Sequence, residues 1–132
     1  MNIESHKRTV RESLDVIKES MDKGVVRRQR TIGFHCSAAI MDMLEIYLHS
    51  RNLIGPGTKI QHDFFSSERK AFERLPKDFE NKKKIISLFV QIEKSRNTLC
   101  YGKEQDKGYI EAYMELFSKA RQIFDSMGVE YV

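Results

Sequence analysis

The sequence predicts an all-α protein, an antiparallel up-and-down bundle of four long helices and one short helix. Apolar residues recur at the helical period in every long segment, and glycine or proline falls at the ends of those segments. No segment shows the period-2 alternation of a useful strand. The length of 132 residues predicts a single domain, residues 1–132, with one core.

The first predicted helix, residues 2–23, repeats apolar side chains on one face and ends at Gly24. The second runs from residue 25 to about residue 53 and is richly apolar. Its polar side holds only His35, Ala38, Asp42, Glu45 and His49. So narrow a polar side is typical of the central helix of a bundle, and we interpret it as a solvated helix face.

The remaining helices follow the loop signal I-G-P-G-T-K-I-Q-H-D. A short helix is predicted over residues 64–75, before Pro76. The fourth helix spans residues 79–101 and is expected to end at Gly102 in a left-handed conformation. The fifth helix spans residues 106–127.

Composition excludes several classes of protein. No apolar run is long enough to span a membrane, and the N-terminal residues lack the apolar stretch of a signal peptide. Cys36 and Cys100 lie on apolar arcs and are predicted to be core residues rather than a disulfide framework. We therefore expect a cytoplasmic protein. The net charge of +4 permits a nucleic-acid partner without demanding one.

The fourth helix carries Arg96 in the middle of its apolar stripe, because successive residues lie about 100° apart. A guanidinium is costly there unless it is paired or borders a wet cleft. One interpretation is a side chain that snorkels, or pairs with Glu93 or Asp106. The other is an anion site, since the five guanidinium donors suit a phosphate.

The non-polar arc of the fourth helix is about 200° wide when residues are placed about 100° apart. Its second strip consists of Ile86, Val90, Asn97 and Tyr101. One packing neighbour does not need so much surface. We therefore predict a two-fold homodimer in which this helix contributes either this second strip or the core-side stripe near Arg96 to the interface.

The octapeptide S-R-N-T-L-C-Y-G, residues 95–102, resembles the R-N-x-L-x-H-G end of a late helix in HEPN domains. The order of long helix, Gly-rich break and short Phe-containing helix is also similar, over roughly residues 25–127. HEPN domains are small helical bundles of prokaryotic toxin–antitoxin systems, found beside nucleotidyltransferases and in larger ribonucleases. The resemblance implies a homodimer whose partner is RNA, a nucleotide or a nucleotidyltransferase.

Active HEPN ribonucleases need no metal, and an Arg followed a few residues later by His assists cleavage across the dimer. The matching positions here are Arg96, Asn97 and, where the family has His, Tyr101. The resemblance therefore implies a non-catalytic module that binds RNA or a nucleotide at these three residues. The alternative is a metal-independent endoribonuclease that uses the same residues across a dimer interface.

Two basic runs are further candidate phosphate contacts, and the alternative is that they are solvated surface residues. Arg27, Arg28 and Arg30 open the second helix, and Lys83 lies in the run that opens the fourth. Positive charge at a helix start opposes the macrodipole, which favours another purpose for these residues. We expect the two helix starts to share one end of the bundle.

Glu45 and His49 lie one turn apart on the second helix, a spacing that suits two metal ligands. A metal site needs three or four ligands, and no His-bearing partner helix is obvious from the sequence. His6 and His62 lie on other segments. The sequence therefore predicts no metal site and no cofactor.

Overall fold

The computed structural model describes residues 2–76 and 78–132. Its elements in chain order are α1 (Ile3–Lys23), α2 (Gln29–Ser50), a 3-10 helix (His62–Ser66), α3 (Glu68–Arg74), α4 (Lys82–Tyr101) and α5 (Lys107–Ser126). No strand forms within these two ranges, so the all-α prediction is confirmed. None of the helices described is long and apolar enough to cross a membrane.

The central helix of the bundle is α2, which packs against α1, α4 and α5. It runs antiparallel to α4, because Gln29 at its start donates a hydrogen bond of 3.2 Å to the carbonyl oxygen of Leu99 near the end of α4. Its apolar residues Ile32, Leu44 and Leu48 are completely buried. The predicted central position of the second helix is therefore confirmed.

Side-chain caps and one glycine define where the outer helices begin and end. Asn2 accepts a hydrogen bond from the backbone N–H of Ser5 at the start of α1, and Asp106 accepts one from Tyr109 at the start of α5. Gly24, with φ +112°, ends α1 in a conformation that L side chains rarely adopt. Residues 25–28 form a turn, so α2 begins later than predicted.

The predicted short helix is divided into the 3-10 helix and α3. Phe65 has φ −97° and ψ 20°, outside the helical values, and Ser67 is extended. The Ser67 hydroxyl then accepts a hydrogen bond from the backbone N–H of Lys70 and caps α3. The break turns Phe65 into the core, where its ring centroid lies 4.9 Å from that of Phe89 on α4.

The wide apolar arc of α4 is largely covered within the chain. The 3-10 helix and α3 pack against α4 in addition to α2 and α5. Ile86 is completely buried and Val90 is half-buried, whereas Asn97 and Tyr101 are exposed. Placing Ile86 in a dimer interface was wrong, because the arc needs no second subunit there. The homodimer itself stays a prediction, supported by the family resemblance.

Candidate functional site

Arg96 lies near the end of α4, and only 12% of its side chain is exposed. Its Nη1 is 3.4 Å from Glu93 Oε1 and 3.5 Å from Asn97 Oδ1, both beyond the usual range for hydrogen bonds from nitrogen. Its Nε–H is buried without a hydrogen-bond partner, and no other side-chain nitrogen or oxygen in the described ranges shares that state. The guanidinium is therefore held in place but weakly engaged.

Tyr101 covers one side of this guanidinium. The central carbon of the Arg96 guanidinium lies 6.0 Å from the Tyr101 ring centroid, at the limit for a cation–π contact. The Tyr101 side chain is nevertheless 71% exposed, and Asn97 is exposed beside it. The structure thus brings Arg96, Asn97 and Tyr101 together.

Arg96 and Tyr101 approach each other although α4 does not end before Tyr101. α4 continues through Tyr101, and Gly102 has φ −89° and ψ −172°. The expected left-handed conformation of Gly102 was therefore wrong. The long side chain of Arg96 reaches across the helix surface, so Tyr101 does not have to leave the helix.

His62 joins the site through Glu93, and sequence spacing gave no signal for it. Glu93 Oε2 lies 3.0 Å from His62 Nδ1, while Glu93 Oε1 faces Arg96. Ser37 Oγ lies 3.4 Å from the same His62 nitrogen. The 3-10 helix places His62 there by folding back onto α4. The sequence left two interpretations of Arg96 open, an ion pair and an anion site. Of these, the structure contains the ion pair with Glu93.

Cys100 lies beneath this site, where its surroundings disfavour the reactive thiolate. Burial raises the pKa of its thiol, and the positive charges of Arg96 and Arg30 only partly oppose that effect. Burial also raises the pKa of the Cys36 thiol. Both cysteines are free and buried, which confirms them as core residues.

The predicted basic residues do not form one surface. Arg30 lies at the Tyr101 end of the bundle, because its carbonyl oxygen is 3.7 Å from Cys100 Sγ. Arg27 and Arg28 occupy the turn that precedes it. Lys83 lies near the other end of α4, about 20 Å from Arg96 along an axis that rises about 1.5 Å per residue.

The two basic helix starts therefore do not share an end of the bundle. α2 and α4 are antiparallel, so their first turns lie at opposite ends. The Arg27–Arg30 end of α2 faces the last turn of α4. Arg27, Arg28 and Arg30 lie on the α2 side and remain candidate contacts for a ligand that is also bound by Arg96. Lys83 lies too far from Arg96 for this role.

A second polar cluster lies between α1 and α2. His6 Nδ1 is 2.7 Å from Asp42 Oδ1, and His6 Nε2 is 3.2 Å from Glu45 Oε2. His6 and Glu45 are buried, and the His49 ring stacks on that of His6 with centroids 6.0 Å apart. The interpretation of this side of α2 as solvated was wrong, because α1 packs against it and supplies His6.

Comparisons of the chain with protein-family models, with curated proteins and with solved structures find no match. The functional argument therefore depends on the geometry of the Arg96 site and of the His6 cluster.

Proposed function

We propose that this chain is a HEPN-like module that binds a phosphate of RNA or of a nucleotide at Arg96, Asn97 and Tyr101 and does not cleave it. The buried, unpartnered Nε–H of Arg96 is the observation that carries the proposal. An unsatisfied buried donor of a charged group costs about 1–3 kcal/mol or more, and phosphate oxygens are strong acceptors for guanidinium donors.

Glu93 is a weak competitor for this guanidinium. Its contact with Arg96 Nη1 measures 3.4 Å and involves a single nitrogen, whereas its other oxygen lies 3.0 Å from His62. A phosphate that takes the Arg96 donors therefore leaves Glu93 with a partner. Since Arg presents a planar fork, two phosphate oxygens can be bound at once after a small rotation of the side chain.

The surroundings of Arg96 suit a nucleotide better than a bare anion. Tyr101 presents an exposed ring on which a base can stack, and the Asn97 amide offers both a donor and an acceptor. Arg30 at the start of α2 is exposed at the same end of the bundle. It is a candidate contact for a neighbouring phosphate of a longer strand.

A metal-independent endoribonuclease is the second candidate, and His62 is the observation that favours it. The motif has Tyr101 where active members of the family carry His. His62 supplies an imidazole to the same site from the 3-10 helix, 3.0 Å from the carboxylate that also faces Arg96. A histidine so placed is a candidate general base.

A nucleotidyltransferase partner, a toxin–antitoxin role and a homodimer are further parts of this proposal that the family resemblance implies. Two exposed aromatic residues support a protein contact at this end. Tyr101 is 71% exposed, and Phe34, one turn after Arg30 on α2, is 50% exposed. Aromatic side chains of this kind are enriched at protein interfaces.

Fluorescence anisotropy with labelled single-stranded RNA and with a labelled mononucleotide tests the main proposal. Arg69→Ala is the matched control for Arg96→Ala, because it removes the same charge from a side chain that is 90% exposed on α3. We expect Arg96→Ala to weaken binding about tenfold and to reduce the salt slope by about one. Equal affinities for the two variants would contradict the proposal.

Incubation of the unlabelled protein with RNA in EDTA separates the two candidates. The binding module predicts intact RNA. Cleavage that is lost in both Arg96→Ala and His62→Gln would instead establish the ribonuclease. Circular dichroism of each variant checks that its helices are retained.

A further inference from the structure

We infer that His6, Glu45 and His49 form a binding site for one first-row divalent metal ion of the Zn²⁺ class, with an open coordination position. The three side chains offer one imidazole nitrogen, one carboxylate oxygen and a second imidazole nitrogen. These ligand atoms all lie within 4.8 Å of one another. This site is separate from the proposed function at Arg96 and does not depend on it.

The spacing of the ligands fits a metal of this size. Bonds of about 2.1 Å in a tetrahedral site place neighbouring ligand atoms about 3.4 Å apart. His6 Nε2 and Glu45 Oε2 already lie 3.2 Å apart. Glu45 and His49 are one helical turn apart on α2, the spacing at which two side chains of one helix can bind the same ion.

The surrounding hydrogen bonds hold two of the ligands in position. Asp42 Oδ1 lies 2.7 Å from His6 Nδ1, and Asp42 Oδ2 accepts a hydrogen bond of 2.8 Å from the Thr9 hydroxyl. The other oxygen of Glu45, Oε1, accepts a hydrogen bond of 2.8 Å from the Ile60 backbone N–H. A carboxylate behind the second nitrogen of a histidine is the usual outer arrangement of a metal ligand.

This arrangement leaves a position for a cation between His6 and Glu45. With a proton on Nδ1, directed at Asp42, a neutral His6 turns the lone pair of Nε2 toward a carboxylate oxygen 3.2 Å away. Either a second proton or a metal ion satisfies both atoms. The partly buried carboxylate of Asp42 and the buried carboxylate of Glu45 supply negative charge that a divalent cation would balance.

The nature and the access of the site follow from its ligands. Two imidazoles and one carboxylate suit Zn²⁺ and its neighbours, whereas Mg²⁺ and Ca²⁺ prefer oxygen ligands. His49 borders a surface cavity of about 680 Å³, which gives the metal contact with solvent. Three protein ligands with a free position are typical of a metal that binds water or a small ligand.

Calorimetric titration of untagged, EDTA-treated protein with Zn²⁺, and separately with Mg²⁺, tests this inference. His35→Gln is the matched control for His49→Gln, because both residues are half-buried histidines of α2 and only His49 lies in the cluster. We expect one Zn²⁺ per chain, no Mg²⁺ binding, and wild-type affinity in the control. His49→Gln and Asp42→Asn should each lose about tenfold or more in affinity.

The visible absorption of bound Co²⁺ provides a second readout, because its intensity reports tetrahedral coordination. Glu45→Gln keeps an oxygen acceptor for Ile60 and removes only the charge, so it should retain the fold and lose the Co²⁺ band. Failure of the wild type to take up Zn²⁺ would overturn the inference. Equal uptake by wild type and His49→Gln would also overturn it, since the ion would then be bound elsewhere.

Discussion

A Cβ atom built on Gly33 of α2 would lie 2.9 Å from the Cβ of Leu99 on α4. The two helices therefore approach each other here as closely as a glycine allows. The Gly33 carbonyl oxygen also accepts a hydrogen bond of 2.6 Å from the buried Tyr113 hydroxyl of α5. This contact joins three helices next to the end of α4 that carries Arg96 and Tyr101.

We expect Gly33→Ala to destabilise the protein by about 1 kcal/mol. Overpacking costs about 1–3 kcal/mol. The roughly 1 kcal/mol that alanine gains over glycine within a helix offsets only part of this cost. Gly108→Ala on α5 is the control, because a Cβ there would lie 3.5 Å from Asp106 Oδ1, an ordinary contact. It should be neutral or stabilising by about 0.5 kcal/mol. Urea unfolding measures both, and a stabilised Gly33→Ala would contradict the close approach.

Both cysteines should react slowly with iodoacetamide in the folded protein. Burial raises the pKa of each thiol, so the reactive thiolate is scarce at neutral pH. Cys36 is completely buried and Cys100 is 9% exposed, so Cys100 should react first. Mass spectrometry of time points, with and without urea, gives the order. Modification of Cys36 before Cys100 would show that the core is packed differently.

His35 should make the protein less stable in mild acid. Burial lowers its pKa below 6.5, and Glu12 only partly opposes this. A lowered pKa in the folded state means that the unfolded chain binds the proton more tightly, so stability is fully present above pH 6.5 and falls as the pH drops through the folded pKa. His35→Gln should flatten that part of the stability curve, measured by urea unfolding between about pH 7.5 and 5. An equal slope in both proteins would contradict this assignment.

The fold was predictable because helical periodicity and the residues that end helices are local signals. The division of the short helix was not predictable, since it depends on Phe65 turning toward Phe89, a contact made only in the folded bundle. The apolar arc on α4 was predicted only in part, because Ile86 and Val90 are covered whereas Asn97 and Tyr101 are exposed. What covers the arc was not predictable, because the covering segment precedes α4 in the chain and its position is set by packing.

The candidate sites show the same division between local and distant information. Arg96 and Tyr101 were predictable because they share one helix and one motif. His62 reaches Glu93 from 31 residues away, and His6 reaches Asp42 from 36 residues away. No spacing in the sequence reports such contacts. Two carboxylates, Asp42 and Glu45, on the narrow polar side of a richly apolar helix are a signal that could have indicated a partner on another helix.

The most direct test of the central claim follows the Nε–H resonance of Arg96 by ¹⁵N–¹H NMR during titration with single-stranded RNA. Arg96→Lys identifies the signal by its loss, and the exposed Arg69 provides an internal reference. The buried, unpartnered Nε–H should be visible in the free protein and should shift with saturation as it gains an acceptor, while Arg69 stays unchanged. RNA that binds without moving the Arg96 signal would contradict the claim that this arginine holds the phosphate.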